Sequence, residues 1–164
     1  MLQENLLFII LSTAFLFITG WYWRDAKPYS LPQPIPNWFK AWFVTVQILG
    51  KLLPIITLVL WGIWWNHTNV LAIFASYLVV LGLQIVAESL SLRRFESVVW
   101  VMVPYLYIPY RIWQLYQGLI LIEGVPELMA VRAILWINII VWIGNYALDL
   151  VQLPFLFHWQ TKED

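Results

Sequence analysis

The sequence predicts an all-α bundle of transmembrane helices, and three observations lead to this prediction. Hydrophobic residues make up 62% of the chain and charged residues 11%, whereas soluble domains have roughly 45–50% and about 25%. The apolar residues fall into long runs, each close to the roughly 20 residues that a helix needs to cross a bilayer. The repeated short alternation of a membrane barrel is missing, so helices must satisfy the backbone hydrogen bonds in lipid.

The apolar runs predict five spanning helices in a single domain that covers residues 1–164. The predicted helices are 5–23, 41–65, 70–90, 98–121 and 128–153. Four helices are the alternative, but that count would place positive charges on both sides of the membrane. Residues 24–40 form the first loop, in which four prolines favour a stiff, extended segment. An ordinary connector and a lid over a pocket both remain open for this loop.

The positions of Lys and Arg predict the orientation of the five helices. One side of the membrane would hold Arg24, Lys27, Lys40, Arg93, Arg94 and Lys162. The other side would hold only Arg132, beside Glu123 and Glu127. Because cytoplasmic loops carry an excess of Lys and Arg, we expect the N-terminus outside and the C-terminus in the cytoplasm. The sequence does not indicate which membrane this is.

Composition and missing motifs narrow the range of functions. The formal net charge is zero and no Lys/Arg-rich run exists, which argues against nucleic acid as a partner. Cysteine is absent, which excludes thiolate catalysis and Cys-ligated metal clusters. His67 and His158 fall on opposite predicted sides, so they do not form one metal site. We predict no catalytic and no metal-binding residues, and an enzyme is the less favoured interpretation.

Four of the predicted helices carry one polar stripe each, at steps of three, four or seven residues. The stripes are Gln47, Lys51 and Pro54; Tyr77, Gln84, Glu88 and Ser91; Tyr107, Arg111, Gln114 and Gly118; and Asn138, Asn145, Asp149 and Gln152. In membrane proteins such faces turn inward, away from lipid. Two interpretations remain open: the stripes hold the helices together, or they line a polar pocket that includes Lys51, Glu88, Arg111 and Asp149.

The first loop and second helix carry a family resemblance. "WYW" is followed by "KP" and then by "PIPNWFKAWFVTVQILG", and the order of Lys27, Pro28, Pro36 and Trp38 is similar to the loop "KPxWxPPxW" of the TspO/MBR family. Trp42 precedes Gly50 by that family's spacing, and Gln84 resembles the glutamine of its third helix. The family comprises tryptophan-rich sensory proteins related to the mitochondrial translocator protein. The resemblance implies a homodimeric receptor for tetrapyrroles, sterols or similar flat apolar molecules.

Two functions are therefore expected. The first is a membrane receptor or carrier that binds a flat apolar ligand, such as a porphyrin or haem-type molecule, a sterol or a lipid. Its expected ligand-binding residues are Trp38, Trp42, Lys51, Gln84, Glu88, Tyr107, Arg111, Asn145 and Asp149. The second is a non-catalytic accessory or assembly subunit of a larger membrane complex. Partners would be the lipid bilayer and either a second copy or other membrane subunits. The subunit hypothesis predicts that at least one polar stripe faces outward, with that of the fourth helix as the first candidate.

Overall fold

The computed structural model describes residues 2–24, 36–91 and 98–156, and within these ranges the chain is helical with no strand. Five long helices follow one another: α1 (Leu2–Tyr22), α2 (Asn37–Trp64), α3 (Thr68–Ser89), α4 (Met102–Leu121) and α5 (Met129–Leu156). Short 3-10 turns at Val98–Val101 and Pro126–Leu128 precede α4 and α5. The prediction of an all-α fold with five helices is confirmed, and the helix bounds agree within a few residues.

One boundary of the predicted first loop is wrong. Residues 37–40, at the end of that predicted loop, form the first turn of α2. Proline disfavours helical backbone in the residue before it, so the helix can begin only after the last proline of the segment, Pro36. The remaining Pro-rich residues 25–35 lie outside the described residues, as do 92–97 and 157–164. The lid hypothesis and the "LRRFES" turn therefore stay predictions.

Four of the five helices are long and apolar enough to cross a membrane: Gln3–Tyr22, Asn37–Trp64, Thr68–Ser89 and Pro126–Val151. They are compatible with a multi-pass membrane protein. α4 has 20 residues, which is also enough, but it does not reach the same apolar character. Its sequence includes Arg111, two glutamines and four tyrosines.

Helices α2 to α5 form a ring in which each helix packs against two neighbours, in the order α2, α3, α4, α5 and back to α2. α1 lies outside the ring, against α3 and α4. Neighbours in the ring run antiparallel, and glycines permit some of the close approaches. A Cβ on Gly118 of α4 would lie 2.8 Å from Cγ2 of Ile73 in α3, and one on Gly62 of α2 would lie 3.0 Å from the Cα of Leu71 in α3.

α2 contains two wide turns of π-helix, Ile48–Leu52 and Leu58–Trp64, within an otherwise α-helical rod. Pro54 follows the first of them and has no amide hydrogen to donate. In a regular α-helix the amide of residue 54 would bind the carbonyl of Gly50, and Pro54 cannot make this bond. π turns of this kind are frequent at functional sites.

Candidate functional site: a polar network at the centre of the ring

Hydrogen bonds join three helices at the centre of the ring. The Tyr77 hydroxyl of α3 donates to the Gly50 carbonyl of α2, which is the carbonyl that Pro54 leaves without its usual partner. The Trp142 indole of α5 donates to the same hydroxyl at 2.8 Å. Gly50 is required here because a Cβ would lie 2.7 Å from the Trp142 ring. The lack of an amide hydrogen at Pro54 and the lack of a side chain at Gly50 therefore both favour the contact of α2 with Tyr77 and Trp142.

Arg111 of α4 completes this network and is fully buried. Its guanidinium carbon lies 4.1 Å from the ring centre of Trp142 and 5.7 Å from that of Tyr77, within the range of cation–π attraction. The guanidinium donates to Oε1 of Gln84, and Nε2 of Gln84 donates to Oε1 of Glu88 at 2.7 Å. A neutral amide therefore stands between the buried cation and the carboxylate.

Three further charged groups lie near the buried arginine or near Glu88. Lys51, Glu88 and Asp149 are half-buried and come from α2, α3 and α5. Glu88 interacts electrostatically with Arg111 and Lys51, and Asp149 interacts with Glu88. Two cations and two carboxylates thus share this region, as expected when ionisable groups avoid lipid. We call this set the central network: Gly50, Lys51, Tyr77, Gln84, Glu88, Arg111 and Trp142.

An open groove lies on the outer surface between α2 and α5, with a volume of about 430 Å³. It is lined by Trp38, Ala41, Trp42, Thr45, Gly144 and Leu148. A Cβ on Gly144 would lie 3.0 Å from the Trp42 ring, so the glycine lets the indole pack against α5. The Trp42 indole donates to Asn145 at 3.4 Å, and Asn145 donates to the Asp149 carboxylate at 3.4 Å. We call this feature the tryptophan groove.

A second polar cluster fastens α1 to the ring. Asn5 donates to the Ser76 hydroxyl of α3 at 2.6 Å and accepts from Tyr110 at 2.7 Å and from Gln114 at 2.9 Å, both in α4. Phe8 stacks on Tyr110 with ring centres 3.8 Å apart. These contacts lie near the start of α1. We call Asn5, Phe8, Ser76, Tyr110 and Gln114 the latch of α1.

The structure sorts the expected ligand-binding residues into three places. Lys51, Gln84, Glu88 and Arg111 come together in the central network, and Asp149 lies at its edge. Trp38, Trp42 and Asn145 belong to the tryptophan groove or its border. Tyr107 joins neither group, because it packs on α1, with its ring centre 5.0 Å from that of Phe8.

The accessory-subunit hypothesis requires at least one outward polar stripe, with that of the fourth helix as the first candidate, but this stripe faces inward. Tyr107, Arg111, Gln114 and Gly118 are all buried. In the same helix the opposite face is more open, with Pro109 and Tyr116 exposed. In a membrane, this inward direction would keep a guanidinium and an amide out of lipid, where they are costly.

Sequence reasoning missed Trp142 and Gly50 as members of the network and Asn5 as the latch. A signal for Trp142 was present, since it lies four residues after Asn138 and three before Asn145 on the same polar stripe. Gly50 could be related to Trp142 only through the three-dimensional contact. Asn5 stands out as an amide in an apolar helix, but nothing in the sequence names its partners.

Comparisons with protein families, with curated proteins and with solved structures found no match.

Proposed function

We propose that this protein is an integral membrane protein with five spans that binds a flat apolar ligand in the tryptophan groove. The groove itself is the observation that carries the proposal. Its volume of about 430 Å³ falls in the range of roughly 300–1,000 Å³ that is typical of small-molecule sites. Two of its lining residues are indoles, which offer flat apolar surfaces for stacking.

The proposal of five spans depends on α4, the least apolar of the long helices. Two of the residues that lower its apolar character, Arg111 and Gln114, are buried. Arg111 contacts α3 and α5, and Gln114 contacts α1 and α3, so neither side chain would meet lipid. α4 also runs antiparallel to its neighbours along its length, from the contact of Arg111 with Gln84 to that of Gly118 with Ile73. With five spans, the distribution of Lys and Arg favours a cytoplasmic C-terminus.

The chemistry of the groove favours a flat, mostly apolar molecule with one polar end. Trp38 is 60% exposed and lines the groove, so a ligand there could contact its indole. Asn145 and Asp149 supply polar atoms at the border of the groove. A tetrapyrrole or a sterol with a hydroxyl group matches this arrangement, and a lipid chain is a less rigid alternative. The accessory-subunit hypothesis is less well supported, because the polar stripe it would use on α4 is buried within the chain.

The test is a binding titration in lipid nanodiscs with protoporphyrin IX and, separately, with cholesterol. We expect Trp38→Leu to weaken binding about threefold to tenfold, since aromatic pairs contribute about 0.5–1.5 kcal/mol beyond their buried area. Trp38→Leu is preferable to Trp42→Leu because no hydrogen bond of the fold involves the Trp38 side chain among the described residues. Trp64→Leu and Trp136→Leu, at exposed indoles outside the groove, are the matched controls. No binding of either probe, or equal losses in all three variants, would contradict the proposal.

A further inference from the structure

Arg111 has hydrogen-bonding capacity that its surroundings do not use. Among the described residues, Nε and Nη1 of its guanidinium have no hydrogen-bond partner, while Nη2 donates to Gln84. A guanidinium carries five N–H donors, and leaving buried donors without an acceptor is costly. The rings of Trp142 and Tyr77 lie close to the guanidinium but supply no oxygen to Nε or Nη1.

The groups around Arg111 leave two of its nitrogens, Nε and Nη1, for a further acceptor. Glu88 is linked to Arg111 only through the amide of Gln84, so the carboxylate does not neutralise the guanidinium by a direct hydrogen bond. Lys51 adds a second positive charge within electrostatic range of Arg111. Lys51 of α2 is half-buried, whereas Arg111 of α4 is fully buried.

We propose that Arg111, assisted by Lys51, binds the carboxylate of a small acid or of an acidic amphiphile. A carboxylate matches the planar donor fork of arginine, and Nε and Nη1 are the donors that it would satisfy. Glu88 and Asp149 also face this region, and their charges oppose a doubly charged phosphate more than a single carboxylate. The site is separate from the tryptophan groove, whose lining includes neither Arg111 nor Lys51.

The test compares decanoate with decanol, which has the same chain without the charge, and acetate with chloride at equal ionic strength. The readout is the thermal midpoint of the protein in zwitterionic nanodiscs, since a ligand that binds only the folded state raises this midpoint with concentration. We expect decanoate to stabilise the wild-type protein more than decanol. If acetate stabilises the protein more than chloride does, a small free acid is sufficient as the ligand. If only decanoate stabilises it, the ligand is an acidic amphiphile.

Variants assign the effect to the site. Arg111→Gln should weaken decanoate about tenfold to a hundredfold, as expected for lost hydrogen bonds to a charged group, and leave decanol unchanged. Lys51→Gln should give a smaller loss, and Arg132→Gln, at a half-buried arginine near the start of α5, should give none. Trp38→Leu should leave decanoate binding unchanged, which separates this site from the groove.

A direct measurement covers the case in which Arg111→Gln does not fold. Carboxyl-labelled decanoate and nitrogen-labelled arginine should show a solid-state dipolar contact in the wild-type protein, and Arg111→Lys should remove it. Equal thermal midpoints with decanoate and decanol and with acetate and chloride, or a contact that survives in Arg111→Lys, would overturn the proposal.

Discussion

At the scale of single residues, the central network depends on the backbone of α2 at Gly50 and Pro54. It also depends on two large side chains, Tyr77 and Trp142. Gly50 leaves space for the Trp142 ring, and the Trp142 indole then holds the Tyr77 hydroxyl at the Gly50 carbonyl. Pro54 contributes by an absent amide, which leaves this carbonyl for Tyr77. The residue type at each of these positions therefore follows from its contacts with the neighbouring helices of the ring.

Gly50→Ala should destabilise the protein by about 1–3 kcal/mol, the usual cost of overpacking a close-packed site. The added Cβ would lie 2.7 Å from the Trp142 ring, which cannot turn away without losing its hydrogen bond to Tyr77. Thermal unfolding in nanodiscs measures the change. Gly82→Ala is the matched control, because a Cβ at residue 82 would meet no atom of a neighbouring element within 4 Å. Equal midpoints for the two variants would show that the close contact at Gly50 has no energetic consequence.

Gln84→Leu should destabilise the protein by about 1.5–3 kcal/mol, the contribution of a hydrogen bond to a charged group. The substitution leaves the buried guanidinium of Arg111 without its acceptor. Arg111→Met in the same background should recover part of the loss, since replacing a buried charge together with its partner by apolar groups is often neutral. The double-mutant cycle measures this coupling. Additive losses in the double variant would contradict the direct interaction between the two side chains.

At the scale of elements, α1 is held differently from the other helices. Most of its surface is exposed apolar side chain, and the latch formed by Asn5, Phe8 and their partners supplies polar and aromatic contacts to α3 and α4. A helix in lipid gains little from apolar contact with another helix, so polar contacts and close packing must hold it in place.

Asn5→Leu should therefore loosen α1 without unfolding the ring. The chain has no cysteine, so a disulfide between Gly20→Cys and Val99→Cys reports the docking of α1: a Cβ at residue 20 lies 3.6 Å from Cγ2 of Val99. We expect cross-linking to be severalfold slower in the Asn5→Leu background. Thr13→Leu, at an exposed position of the same helix, is the control. Unchanged cross-linking with Asn5→Leu would show that the latch does not hold the helix.

At the scale of the whole molecule, the sequence was sufficient for the helices and for the inward direction of the fourth stripe. Long apolar runs predict helix positions because bilayer thickness sets their length. The polar steps in α3 and α4 predicted that Gln84 and Arg111 face inward, and the structure joins them. The sequence could not predict that Tyr107 turns to α1, because both neighbours of α4 were unknown. It could not predict the role of Gly50 either, since that role exists only through the ring of Trp142.

The central claim is that α4 crosses the membrane as a fifth span, with its polar face buried in the ring. Single substitutions Leu90→Cys and Glu123→Cys place one thiol in the connection from α3 to α4 and one in the connection from α4 to α5, and both positions are exposed. The measurement is labelling with a membrane-impermeant maleimide in sealed vesicles of known orientation, before and after permeabilisation. We predict that the two thiols are labelled from opposite sides, with residue 90 on the cytoplasmic side. Labelling of both from the same side would contradict the account, because α4 would then not cross the bilayer.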